Sequence, residues 1–237
     1  MIIKNSILDN NRAWLDGGAV YCNKNVKVFN SSLTSNVAKG ASSQCYGGAI
    51  CSKEDVVIEN CTISNNFAAD YGGGVYAKNI YVNQGQSLLS LFAGNTADDN
   101  DCGALYAEET LKMSYADLNE NKAYEDGGAV LCTNAYLDNC QFLSNHAEGS
   151  SFKQCEGGAI FAKDDVHIYG NCTFKYNQAR YIGGAIDCDD LYVYEPSLSF
   201  WCNCIVEIPD CEWNFLNIQG IDFVTKQDIY ASLYCKY

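Results

Sequence analysis

The chain has 237 residues and a formal net charge of −14, with 15 Lys plus Arg against 29 Asp plus Glu. A chain this acidic repels phosphate backbones and anionic lipid, which excludes nucleic-acid binding as its main activity. Apolar residues at 48 % with 19 % charged exclude a disordered chain, and 20 Gly beside 2 Pro imply many tight turns in left-handed conformations.

The first stretch, MIIKNSILDNNRA, has no basic segment leading into a long apolar core, so no secretory signal is legible there. No later window reaches the roughly eighteen apolar residues expected of a membrane-spanning helix. The chain enters in the middle of a repeating unit, near Asn5, and we expect it to be a fragment of a longer protein.

Two signatures then alternate along the chain. One is a Gly pair followed by a small residue, starting at Gly17, Gly47, Gly72, Gly127, Gly157 and Gly183, with Cys102 replacing the first Gly of a seventh copy. Successive spacings are 30, 25, 30, 25, 30 and 26 residues. The other signature precedes it: an apolar residue, two variable positions, Asn, one variable position, Ala. It places Asn at 11, 36, 66, 95, 121, 145 and 177, Ala at 13, 38, 68, 97, 123, 147 and 179, and an eighth copy without the Ala ends at Asn203. Short runs such as VVIE and NCTIS alternate in polarity, are rich in β-branched residues, and are too short for helices.

A unit of about 25 residues holding three short strands is the size of one coil of a parallel β-helix. Stacked coils bring equivalent residues about 4.8 Å apart, so each recurring residue type becomes a ladder. The Val20, Ile50, Val75, Leu105, Val130, Ile160, Ile186 column is always aliphatic and belongs inside. Parity puts the small column Cys22, Ser52, Ala77, Ala107, Cys132, Ala162, Cys188 inside as well. Between them runs the variable column Tyr21, Cys51, Tyr76, Tyr106, Leu131, Phe161, Asp187, which we expect to face out. A second interior stack is Leu8, Leu33, Ile63, Phe92, Leu118, Phe142, Phe174, Phe200. The Asn column is expected at a tight turn, each amide bonding the one above it, beside Gly pairs that permit a positive φ.

Two units carry corner inserts, KGASSQCY after Ala38 and EGSSFKQCE after Ala147, where a variable binding surface is expected. After Asn203 the pattern stops, so residues 1–203 read as β-helix repeats and 204–237, with Pro209, Trp213, Phe215 and Cys235, as an irregular cap or a degenerate coil.

The paired motifs Gly-Gly-Ala-[Ile/Val/Leu] and Phe-x-x-Asn resemble the repeats of the chlamydial polymorphic outer-membrane proteins. GGAI at 47–50 and 157–160, FLSN at 142–145 and FKYN at 174–177 match letter for letter, with GGAV at 17 and 127 and LTSN at 33 close behind. The repeats are also similar to those of adhesin-like surface proteins of methanogenic archaea and of some protists. This resemblance covers roughly residues 5–203 and implies a right-handed parallel β-helix at the cell surface, associated with the outer membrane in a bacterium, and in some members an adhesin. The chlamydial proteins end in an autotransporter barrel, for which the tail after Asn203 is too short. The motif consists of scaffold residues and transfers no catalytic group.

Several constellations invite chemistry. Asp187, Asp189 and Asp190 follow the last Gly pair, and Asp98, Asp99 and Asp101 flank the degenerate one. β-Helix polysaccharide lyases and hydrolases use such Asp clusters as Ca²⁺ ligands or as a paired acid and base, so Asp187, Asp189 and Asp190 are the candidate Ca²⁺ ligands. A solvated acidic turn is the plainer alternative, and no other cofactor is indicated. Of the 2 histidines, His146 occupies a variable position read as free surface and His167 lies in the strand run VHIY.

The 14 cysteines point to an oxidising compartment, yet Cys22, Cys132 and Cys188, and likewise Cys61, Cys140 and Cys172, fall in columns that elsewhere hold Ser or Ala. They read as small core residues. Cys140 and Cys172 are on adjacent coils, where a bond is allowed but strained, whereas Cys45, Cys155, Cys202, Cys204, Cys211 and Cys235 are freer to pair. Sequons at Asn30, Asn60 and Asn171 arise from the repeat itself. Tyr21, Tyr76, Tyr106 and Phe161 form an outward stripe able to stack on sugars or a partner protein, or simply on one another.

The expectation is an all-β, right-handed parallel β-helix of about seven to eight coils. It is read as a non-enzymatic adhesin-like module at the cell surface, meeting a host-cell or surface protein or a glycan. A carbohydrate-active enzyme on the same scaffold is the competing reading.

Overall fold

The computed structural model describes residues 1–40, 45–84, 88–149, 155–194, 199–201, 203–205 and 216–223. Every regular element among them is a strand, and every strand pairing is parallel, stacked as a solenoid of about seven turns. In one coil the chain runs Val26–Phe29, Ser32–Thr34, Val37–Ala38, then past Gly47 and Gly48 into Ile50–Ser52, and so to Val56–Glu59 above its starting point.

Three sheets result. Two are eight-stranded, one running from Ile7–Asp9 to Ser199–Trp201 and one of two-residue strands from Arg12–Ala13 to Cys204–Ile205. The third, thirteen-stranded, fuses two strand columns through the long strands Val75–Val82, Leu105–Ser114 and Ile186–Val193. Within the tail read as cap or degenerate coil, Cys204–Ile205 pairs with Gln178–Ala179 and Leu216–Phe223 pairs with Ile186–Val193. Pro209, Trp213, Phe215 and the cysteines at 202, 211 and 235 lie outside the described residues.

Three corners per coil take left-handed backbone. The first is at Asn5, Asn30, Asn60, Asn83, Tyr115, Asn139 and Gly170; the second at Asn10, Ser35, Asn65, Gly94, Glu120, Ser144 and Tyr176. The third is the first Gly of each pair, with Cys102 at φ 67° in the seventh copy. The second Gly is required for a different reason. A Cβ on Gly128 would stand 2.1 Å from the Gly158 carbonyl oxygen and 2.6 Å from the His146 nitrogen. The backbone of the third corner therefore lies directly on the two-residue strands, and that approach closes the coil.

The ladders stack in register. Val20 through Ile186 are all buried, as are Leu33, Ile63, Phe92, Leu118, Phe142 and Phe174, with Phe142 and Phe174 rings 4.7 Å apart and 3° from parallel. Val26 and Val28, with their equivalents up to Leu191 and Val193, supply the third inner wall. The Asn column follows each second-corner residue and is buried from Asn36 to Asn203, with Asn11 of the first coil exposed. Asn36 donates from both its backbone nitrogen (2.9 Å) and Nδ2 (3.0 Å) to Asn66 Oδ1, while Nδ2 also donates to the Leu8 carbonyl at 2.9 Å. The same three bonds recur up to Asn177 over Asn203. Burying an amide costs stability unless its donors and acceptor are met, and here the fold's own repeat meets them.

Candidate interaction surface

The variable column pairs coil to coil as Tyr21, Cys51, Tyr76, Tyr106, Leu131, Phe161, Asp187. It lies on the outer side of the thirteen-stranded sheet, but only Tyr21 is well exposed, at 45 %. Cys51, Leu131 and Asp187 are buried and Tyr76, Tyr106 and Phe161 half-buried, which corrects the expectation of an open stripe. The cause is the residue just before each Gly pair, which folds back over the sheet. Tyr46 stacks on Tyr76 at 4.7 Å, Tyr76 on Tyr106 at 5.0 Å, and Tyr71 meets Tyr106 edge-on at 5.3 Å. The ring faces are thus largely consumed by neighbouring rings, while edges and hydroxyls point outward. Tyr76 donates its hydroxyl to Glu108, and burial together with that bond raises its pKa. Burial also pushes the Cys51 thiol up to about 12, with Asp16 adding to the effect.

In other coils the residue before the Gly pair is acidic: Asp16, Asp101, Asp126 and Glu156. These carboxylates tie coils together. Asp101 Oδ1 accepts the Asp126 N–H at 3.1 Å, and Asp126 Oδ1 accepts the Glu156 N–H at 2.9 Å. Burial, then the charges of Asp101, Glu156 and Asp187, push the Asp126 carboxyl up to about 7, against a bond from Glu156 that pulls it down. The sequence carries a signal for this column, since the position before the Gly pair is a carboxylate or a tyrosine in six of the seven copies, Ile182 being the exception.

The three carboxylates expected to hold calcium lie in one strand, Ile186–Val193, whose first half pairs with Ile160–Ala162 and second half with Asp165–Tyr169. Asp187 is buried near Asp126; Asp189 is exposed, its N–H donated to the Asp164 carbonyl at 2.9 Å; Asp190 pairs in register with Asp165. Among the described residues, no group of three or more His, Cys, Asp or Glu is arranged to hold a metal ion. Asp98 pairs with Lys39 at 3.7 Å, an exposed contact worth little.

His146, expected at free surface, is half-buried in register between Lys122 and Gln178, and burial lowers its pKa. His167 belongs to a second aromatic stack that the sequence did not reveal. Its ring lies between Tyr136 and Tyr192, 4.7 Å from each, and its Nδ1 is 3.1 Å from the Tyr194 hydroxyl. Lys112 covers the Tyr136 ring at 5.1 Å. On the eight-stranded sheet that starts at Ile7–Asp9, a cleft of about 380 Å³ is lined by Gln141, Phe142, Leu143, Thr173, Lys175 and Tyr176, with no carboxylate among them.

Most of the two corner inserts lies outside the described residues, but their roots are clear. Cys45 is buried with Ala38 and Ala69, and Cys155 with Ala147 and Ala179. Both were expected to be freer; each instead fills the base of its insert.

The Chlamydia polymorphic membrane protein repeat profile matches residues 60–78 and 171–189. The probable outer membrane protein pmp21 of Chlamydia pneumoniae is 31 % identical over 183 residues, which is 73 % of this chain and 10 % of that protein. The chain thus spans about a tenth of that relative's length. No solved structure matches. Both matched segments run from the outer Asn-Cys-Thr corner through the Asn ladder to the Gly pair, the residues that build the coil. In its repeats, the chain is similar to the polymorphic membrane protein family.

Proposed function

We propose that the chain is a non-enzymatic adhesin-like module displayed at the cell surface, as part of a longer surface protein. The observation that carries this reading is the division of labour across the coil. Recurring residues are buried or sit at corners, while the outer positions differ from coil to coil. A scaffold of this kind holds non-repeating side chains in a rigid array, which suits recognition of a partner surface. The outer-membrane placement named for the chlamydial relative supports the location.

The partner is a protein or glycan of a host cell or neighbouring surface, met through the outer tyrosines, carboxylates and corner inserts. Beads coated with the chain, applied to epithelial cells and to a glycan array, test this. Saturable binding that heat-unfolded chain lacks is expected. Release of sugar from a polysaccharide panel, without saturable binding, would replace this reading with the enzymatic one.

A further inference from the structure

One corner of the coil carries a second polar ladder: Ser6, Ser31, Cys61, Ser90, Ala116, Cys140 and Cys172. At three rungs the side-chain oxygen or sulfur accepts the backbone N–H of the coil before. Ser31 Oγ receives the Ser6 N–H at 3.0 Å, Ser90 Oγ that of Cys61 at 3.1 Å, and Cys172 Sγ that of Cys140 at 3.4 Å. Each also donates backward, as Ser31 Oγ does to the Phe29 carbonyl at 2.7 Å and Cys140 Sγ to the Asp138 carbonyl at 3.4 Å. Thiol and hydroxyl thus serve one role in this ladder.

Among the described residues, Cys140 and Cys172 form the one place in it where two thiols are stacked on consecutive coils. Cys61 lies between Ser31 and Ser90, and in the inner column Ala162 separates Cys132 from Cys188. The Thr173 N–H donates to the Cys140 carbonyl at 3.0 Å, and Gln141 pairs in register with Thr173. Adjacent parallel strands put the two Cα atoms about 4.8 Å apart. That lies within the roughly 4.4–6.8 Å a disulfide spans. Both thiols are buried, and the Cys140 N–H already holds Cys172 Sγ at 3.4 Å.

We propose that Cys140 and Cys172 are a latent covalent staple between consecutive coils, closed by a disulfide-bearing oxidant such as glutathione disulfide or a thiol oxidoreductase. One cysteine attacks the oxidant's disulfide and expels a thiol. The second then attacks the mixed disulfide and expels the other. The Sγ–Sγ bond forms, and two electrons and two protons leave as two thiols on the former oxidant. Since both sulfurs are buried, the exchange occurs as the coils dock during folding or on local opening. The closed loop, residues 140–172, contains the second corner insert, so the staple would pin the coil that presents it.

The test is refolding of the chain from denaturant in a glutathione/glutathione disulfide buffer, alkylation of remaining thiols, and peptide mapping. A Cys140–Cys172 cross-linked peptide two hydrogens lighter than its reduced pair is expected, with Tm at least about 3 °C above the reduced form. Separate alkylation of both thiols in the folded, oxidised sample overturns the proposal, as does bonding of Cys140 to another cysteine. C140S and C172S should fold, because serine fills the same role at 31 and 90, and should lose the redox-dependent part of Tm. Persistence of that increment in either variant also overturns it. Each outcome is independent of whether the chain binds cells.

Discussion

Asn121 illustrates how much one recurring residue does. Its Oδ1 accepts the Asn95 backbone N–H and Nδ2, both at 3.0 Å, while its own Nδ2 donates to Asn145 Oδ1 and to the Phe92 carbonyl. Asn121→Ala takes the side-chain partner from the Asn95 backbone N–H and from the Phe92 carbonyl, and one of two bonds each from Asn95 Nδ2 and Asn145 Oδ1. A penalty of about 1–3 kcal/mol for each orphaned group gives an expected loss of roughly 4 kcal/mol after relaxation. Urea titration followed by circular dichroism measures it, and a loss below about 1 kcal/mol would mean the ladder is not structural. Gly128→Ala should be as severe, since its Cβ would strike backbone atoms that cannot move without opening the coil.

The acidic column adds a pH dependence with a definite sign. Asp126 has a folded pKa raised to about 7, chiefly by burial, so the folded state holds a proton that the unfolded chain releases near the ordinary value of 3.8. The native state binds more protons across that window. Stability is therefore highest below about pH 4 for this group and falls as pH rises to about 7, by roughly 4 kcal/mol at most. Asp126→Asn keeps an oxygen for the Glu156 N–H and should flatten the slope. Thermal melts at pH 5, 6, 7 and 8 check it, and an unchanged slope would assign the pH dependence elsewhere.

At the scale of the element, the coil is the unit that can be added or removed. Deleting residues 96–121 joins Asn95 to Lys122 and removes one whole period, leaving every ladder in register. The shortened chain should still unfold cooperatively, with a proportionally smaller urea m value. Deleting 96–108 alone leaves a partial coil and should prevent folding, as read by the loss of the β-type circular dichroism signal.

This scale also explains what the sequence made legible. Inner columns such as Val20 to Ile186 and Leu33 to Phe174 were readable because burial forces one residue type at a fixed period. The first Gly of each pair was readable because positive φ imposes it. Tyr46 and Tyr71 were not, since whether a corner side chain folds back over the sheet depends on its length and its particular neighbours, which do not repeat. The same reason hid the Tyr136, His167, Tyr192 stack and the burial of Cys51 and Leu131. The Ser and Cys ladder was visible as a column, but its size was read and its hydrogen bonding was not.

For the whole molecule, the consequence is that sequence period becomes axial distance. On the outer face of the sheet that starts at Ile7–Asp9, Asp9, Thr34, Ser64, Ala93, Asn119, Leu143 and Lys175 stand in one register column. Asn119 is four coils from Asp9 and Lys175 is six, so at about 4.8 Å per coil the separations are about 19 and 29 Å. Pulsed electron paramagnetic resonance on chains spin-labelled at cysteines introduced at 9 and 119, or at 9 and 175, in a background with the other cysteines blocked, measures both. A difference of about 10 Å between the two distances is the predicted result; equal distances, or a shorter one for the pair farther apart in sequence, would contradict the stacking of repeats on which every other inference here depends.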